Sequence, residues 1–344
     1  MNALKLVGPG NLVKEELPEP LQVPPEHALV EVKFISLCGS DYKLFKGAYS
    51  GPSIYPIYFG HEWSGNVIEI NSKKGCLEKG DRVTGDCSRW CGECTLCSKD
   101  KNLCLNIEKF GISIDGFSKQ RLVVPVKYMY KCPEELDYDV LALTECFSVA
   151  LHAIKKLPPG ILENKEMNIL VIGGGPVGLA VFLLLKHYLG LLNVSIAEIN
   201  EERRRMIKKV TGCTAIENLS AETSDNATYR GVLKDCRFDV VFEAAGRGET
   251  LQKAINVTVP DGYVVCIGMF PPHNIDFLPV VIKGLHLAGS IGGTGEFIDV
   301  LEFFKNNPHI PRSMISQTFD LENAPKAFEA YNNSGSAKVQ IKLT

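Results

Sequence analysis

Apolar residues alternate with polar ones, or run in short blocks, over residues 3–14 and 28–36, with prolines at Pro18, Pro20, Pro24 and Pro25 between them. This period-two patterning, rich in Val, Leu and Phe, predicts strands of an antiparallel β-rich unit. Ser40 or Asp41 is placed to cap a short helix just after the second run. Strand character returns at residues 66–70, after the Gly80-Asp81 turn at Arg82-Val83, and over residues 120–130. Spacing turns helical over residues 140–156, and Pro158-Pro159-Gly160 marks a joint. From residue 167 to about 288, strand and helix patterns alternate, with strands at 169–172, 194–198, 239–243, 263–267 and 285–288. That alternation predicts a parallel sheet with helices on both faces. Residues 296–305 and 324–331 read as helices and 337–343 as a last strand.

The first strand of the alternating part runs straight into Gly173-Gly174-Gly175-Pro176-Val177-Gly178. A Gly-x-Gly-x-x-Gly turn between strand and helix gives a tight bend at Gly173 and backbone access for a pyrophosphate at Gly175. Gly178 lets the helix approach the sheet closely. The helix N-terminus then faces the phosphates with its positive end. A helix-like apolar run over 179–192 follows, and Glu198 closes the next strand. An acidic residue about 20 positions after the last glycine is where a ribose-binding carboxylate belongs. A ligand-free βα turn is the plainer alternative, since six residues of this pattern are weak evidence by themselves.

Composition changes this picture little. The chain has 344 residues, enough for two domains, and a net charge of −3, which points to neither nucleic acid nor an anionic membrane. The most apolar run contains Lys186 and His187 and is too short to span a bilayer. With no secretory signal at the N-terminus, a cytoplasmic location is the expectation. Twelve cysteines are many, and their placement matters more than their number.

Cys91, Cys94, Cys97 and Cys104 crowd into one loop. Thiolates so spaced can close a tetrahedron around a structural zinc, which would then contribute to the folding free energy of a lobe with little apolar material. Four free thiols in a surface loop are the alternative. A second set is dispersed: Cys38, His61 and Glu62, with Glu145 as a further candidate. Singly, each has an ordinary explanation. Together, thiolate, imidazole and carboxylate are the mixed donors that leave one zinc position open to substrate.

Taken in order, these motifs resemble the zinc-dependent medium-chain alcohol dehydrogenases, and within them the polyol (sorbitol, galactitol-phosphate) and aminocyclitol branches. The resemblance spans essentially the whole chain. It rests on Cys38-Gly39-Ser40-Asp41, Gly60-His61-Glu62-x-x-Gly65, Gly80-Asp81-Arg82-Val83, the four-cysteine lobe, the Glu145 segment and the glycine fingerprint. It implies an α/β protein with a GroES-like β-rich catalytic domain at residues 1–146, carrying a structural zinc lobe at 87–104. A doubly wound Rossmann domain for NAD would follow at 147–289, and a return segment at 290–344 would complete the catalytic domain.

By position, the resemblance implies Cys38 and His61 as catalytic zinc ligands, with Glu62 a ligand or an exchangeable near-ligand. Glu145 would sit at the zinc directly or through water, and Ser40 would receive the substrate proton. Gly246 would lie under the adenosine side, with Gly268 and Met269 beside the nicotinamide. Three departures stand out. Cys97 and Cys104 are one residue closer than the family leads one to expect. Cys146 takes the place of a proline, leaving open whether Glu145 or Cys146 faces the metal. Lys119 replaces a common glutamate, a change with no functional account.

Glu198 favours NAD over NADP, because a carboxylate accepts the ribose hydroxyls and repels a 2′-phosphate. Arg203, in the Arg203-Arg204-Arg205 run, lies along the adenine or serves a phosphate. The expected substrate is a small molecule, a secondary alcohol of a polyol, cyclitol or aminocyclitol, 2-deoxy-scyllo-inosamine-like molecules included. An L-threonine 3-dehydrogenase-like enzyme is the nearest rival, and a non-catalytic zinc- and nucleotide-binding protein the rival of another class. The family also suggests a homo-oligomer, dimer or tetramer.

Overall fold

The computed structural model describes residues 1–73, 77–219, 228–333 and 335–344, which form two compact units. One comprises Met1–Ser148 and Gly292–Thr344, the other Val149–Ile291. Among the described residues, no helix is long and apolar enough to cross a membrane.

The first unit is built on a seven-stranded sheet. Its order is Ile315–Asp320, Lys338–Lys342, His27–Ser36, Glu62–Asn71, Arg82–Gly85 and Met129–Lys131, with Arg121–Pro125 also pairing the long strand His27–Ser36. All these pairs are antiparallel except Ile315–Asp320 with Lys338–Lys342. The inward faces supply a core in which Trp63 stacks on Phe117 at 4.3 Å, beside the buried Phe59 and Phe328. Stripped of its few alternating positions, Ile315–Asp320 is mostly exposed, and no apolar rhythm marked it as a strand.

Several elements differ from the sequence-based expectation. Residues 3–14 form a hairpin, Asn2–Gly8 with Asn11–Glu16, turning at Pro9-Gly10. The helical pattern over 140–156 breaks into Tyr138–Leu141 and Thr144–Ile154. The apolar run after the fingerprint is α-helical only over Pro176–Leu183 and continues as a π-turn, Leu184–Tyr188. The helix Gly39–Phe45 has Cys38, not Ser40 or Asp41, at its N-cap. Asp41 sits at its third position and accepts from the Cys38 N–H.

The second unit has a five-stranded sheet of order Val194–Ala197, Ile169–Ile172, Phe238–Glu243, Thr258–Cys266 and His286–Gly289, parallel throughout. The chain order reverses at Ile169–Ile172, so the glycine fingerprint lies at the switch point where such sheets bind ligands. Helix Pro176–Leu183 begins there, with Gly175 as N-cap and proline at its first position. A Cβ on Gly178 would lie 2.0 Å from the Gly173 carbonyl oxygen, whereas one on Gly175 would meet nothing within 4 Å. The glycines therefore do different work: Gly178 is needed for packing, Gly175 for open backbone.

Gly178→Ala is accordingly expected to cost about 1–3 kcal/mol in thermal or urea unfolding, the usual overpacking range. Gly175→Ala should stay within about 0.5 kcal/mol of the parent yet weaken dinucleotide binding. Equal melting temperatures for the two variants would contradict this division.

Candidate active site

Strand register assembles the site. The strand His27–Ser36 pairs on one side with Glu62–Asn71, Ser36 opposite Glu62, and on the other with Lys338–Lys342, Ser36 opposite Gln340. The bond from the Leu37 N–H to the Val339 carbonyl continues that register past the strand end. Cys38, His61, Glu62 and Lys338 thus collect at one end of three neighbouring strands. One ligand atom each from Cys38, His61 and Glu62 lies within 4.8 Å of the others.

Asp41, with no exposed surface, ties the loops together. One oxygen accepts the Cys38 N–H at 2.9 Å; the other accepts the Gly60 N–H at 3.1 Å and lies 3.6 Å from His61 Nδ1. A carboxylate behind the far ring nitrogen orients a metal-binding histidine. His61 Nε2 faces the other way, 3.3 Å from Ser40 Oγ. Burial works against charge on both groups, yet the imidazolium holds the Cys38 thiol down at about 7, and Asp41 and Cys38 push His61 up to about 10. Such a thiolate–imidazole–carboxylate set is the chemistry of a zinc site with room for a substrate atom.

Lys338 was not foreseen. Its ammonium lies 2.5 Å from both carboxylate oxygens of Glu62, and each side chain is about 1% exposed. Burial would strip the proton from Lys338, but the adjoining Glu62 carboxylate holds it on. Glu145 is buried near enough for its charge to act on His61 and Glu62, but it stands outside the three-residue group. Cys146 is buried as well and also outside that group. Glu145 lies instead beside Cys87, whose thiol is pushed well above its ordinary value, by burial first and by that carboxylate second.

The lobe brings together Cys91, Cys94, Cys97 and Cys104, whose sulfur atoms all lie within 4.8 Å of one another. The short spacing before Cys104 is taken up by a 3₁₀ turn, Lys101–Leu103. Cys91 is lowered to about 6 by backbone N–H groups of Glu93 and Cys94, which favours the thiolate that metals need. This donor set fits a structural zinc.

In the second unit, Glu198 follows its strand and is buried against the fingerprint. Its oxygens accept the N–H groups of Gly174 and Asn200, both at 2.9 Å, and Arg203 reaches one of them at 3.4 Å. Pro176 and Val177 open the helix behind the turn. Glu243 accepts the N–H groups of Ala245 and Gly246 at 3.0 Å, fixing the loop that packs against Gly268 and Met269.

Two family models match the chain. The alcohol dehydrogenase GroES-like domain matches residues 24–134, and the zinc-binding dehydrogenase model matches residues 176–306. The chain belongs to the zinc-dependent medium-chain alcohol dehydrogenases. It is 30% identical to the L-threonine 3-dehydrogenase of Coxiella burnetii, over 78% of this chain and 77% of that one. With the D-altritol 5-dehydrogenase of Agrobacterium fabrum it shares 28% identity over 99% of both chains. A solved structure from Sinorhizobium meliloti, described as a zinc-binding dehydrogenase bound to NADP, superposes with a TM-score of 0.83 at 28% identity over 99% of each chain. As a medium-chain dehydrogenase of this type, the protein is an NAD(P)-dependent oxidoreductase with a GroES-like and a Rossmann-like part, and the non-catalytic alternative falls away.

Two measurements check the site. Metal analysis should find two zinc ions per chain, one lost in Cys94→Ser and the other in Cys38→Ser; a single zinc insensitive to Cys38→Ser would contradict the second site. Lys338→Met strands a buried Glu62 charge and should cost about 3–5 kcal/mol in urea unfolding. Adding Glu62→Gln should recover most of that loss, and strictly additive effects would rule out the pairing.

Proposed function

We propose that the enzyme oxidises a secondary alcohol of a polyol, cyclitol or aminocyclitol with NAD, using Cys38, His61 and Glu62 as its metal-binding set. The observation that carries this reading is the convergence of those three side chains, with Ser40 Oγ beside His61, at one end of the sheet, and the buried Glu145 near enough for its charge to act on them. Cys38, His61 and Glu62 would hold a zinc ion that would supply Lewis-acid polarisation of the alcohol oxygen, and a bound nicotinamide would supply the hydride acceptor.

The chain's own residues do the rest. Asp41 draws the Nδ1 side of the His61 ring by charge from 3.6 Å, which leaves Nε2 toward the donor group. Ser40 Oγ relays the proton of the substrate hydroxyl, accepting it while its own hydroxyl proton passes on toward solvent. Lys338 holds Glu62 in place by charge pairing and opposes the protonation that its burial favours. Glu145 adds a carboxylate that accepts hydrogen bonds from further substrate hydroxyls, which suits a polyol better than a simple apolar alcohol. Glu198 holds its carboxylate at the fingerprint, where it accepts ribose hydroxyls and opposes a 2′-phosphate. The full-length similarity to a D-altritol 5-dehydrogenase supports the polyol assignment.

L-Threonine is the second reading, favoured by the identity to the C. burnetii enzyme. It needs a cation for the amino-acid carboxylate, and the lysine beside the donor group is spent on Glu62. Initial rates with sorbitol, galactitol, inositol derivatives, threonine and ethanol decide the matter. A polyol or cyclitol should give the highest kcat/KM, with NAD preferred over NADP by at least roughly tenfold, about 1.4 kcal/mol of discrimination. Threonine or ethanol as best substrate would overturn the substrate assignment, and a preference for NADP would overturn the role of Glu198.

A further inference from the structure

The four-cysteine lobe bonds a distant part of its own unit directly near its C-terminal end and connects to it indirectly at the other. Near its C-terminal end, Asn102 is 3% exposed and lies two residues before Cys104. Its side-chain amide pairs with the Thr294 backbone as one peptide pairs with another. Oδ1 accepts the Thr294 N–H at 3.0 Å, and Nδ2 donates to the Thr294 carbonyl at 3.2 Å. Asp100 Oδ1 accepts both the Asn102 N–H and Nδ2 at 2.9 Å, which fixes the amide's orientation. Gly292 is where the chain re-enters this unit, at φ +72°, and a Cβ there would lie 2.2 Å from Asn102 Oδ1.

At the lobe's other end, Trp90 precedes Cys91 and donates its indole N–H to Asp86 Oδ2 at 3.3 Å. The same oxygen accepts the Tyr130 hydroxyl at 3.2 Å, and the Tyr130 ring stacks on Phe297 at 4.5 Å and 2°. Thr294 is therefore held directly by a residue adjoining the lobe's cysteines, and Phe297 indirectly, through Tyr130 and the Asp86 carboxylate that Tyr130 shares with Trp90. We infer that the lobe is a metal-dependent latch: with its metal bound it fixes the return segment 292–297, and with the metal lost it releases that segment. Without a cation, four crowded thiolates repel or take up protons, and a lobe this poor in apolar contacts loses its shape. Asn102 and Trp90 would then lose their placement. Asn102 acts as a positioning residue, and coupling of this kind must run in both directions.

The inference rests on the lobe holding zinc but not on the identity of the substrate. Hydrogen exchange of the 292–297 peptide and the rate of zinc transfer to a colorimetric chelator test it on the full-length holoenzyme. Asn102→Ala should speed exchange at the Thr294 amide by at least roughly fivefold, the worth of one neutral hydrogen bond. It should speed release of one of the two zinc ions as well. Gly292→Ala, which attacks the same contact from the far side, should accelerate release of that same zinc although it touches no ligand. Parent enzyme stripped of its lobe zinc should show the faster Thr294 exchange without any substitution, so a poorly folding variant does not decide the outcome. Unchanged Thr294 exchange after stripping, or zinc release indifferent to Gly292→Ala, would overturn the latch. A parent enzyme whose lobe never holds zinc would overturn it too, and metal analysis separates that result from a failed coupling.

Discussion

A carboxylate sealed away from water carries much of this structure's chemistry. Asp41 bonds the backbone of Cys38 through one oxygen and that of Gly60 through the other, and stands behind the ring of His61. Two loops that follow or precede different strands are thereby held in a fixed relation, which burial alone would not do. Leaving that carboxylate buried and unpaired would be costly, so its three partners are bound together energetically. The spacing of the thiol and imidazole is a consequence.

The sheet supplies the frame in which this works. Because Ser36 faces Glu62 on one side and Gln340 on the other, three chain segments far apart in sequence end at the same level. A slip of one residue in either pairing would turn every side chain of the slipped strand to the opposite face and scatter the set. The cationic partner of Glu62 comes from the last strand, so the C-terminal segment completes the site as well as the sheet. A buried ion pair of this kind contributes little net stability compared with apolar packing; its effect is to hold Glu62 at a set place, against the burial that raises its pKa.

Much of this could be read from the chain. Alternating blocks marked the long strands, the glycine fingerprint marked the βα turn, and the crowded cysteines marked the lobe. Cys38, His61 and Glu62 were nameable because each lies inside a short motif of the family. Lys338 was invisible, since a lysine at a strand start looks like any solvated charge until the register places it against Glu62. Asp41 read as a helix cap, and it does bond the Cys38 N–H, but its second oxygen reaches Gly60, a contact that no local rule encodes. Ile315–Asp320 was missed because its side chains face water and its stabilisation is in the backbone ladder with Lys338–Lys342. Asn102 gave no signal either, because its meaning lies in the backbone of Thr294.

The dependence of the donor group on Asp41 is open to a direct measurement. Zinc affinity of both sites can be followed by competition with a chelator in the parent enzyme and in Asp41→Asn. The variant should bind one of its two zinc ions about 10–100-fold more weakly, as loss of an orienting partner does, while the lobe zinc is held as before. Unchanged affinity at both sites would show that Cys38 and His61 keep their places without the buried carboxylate, and would contradict this account.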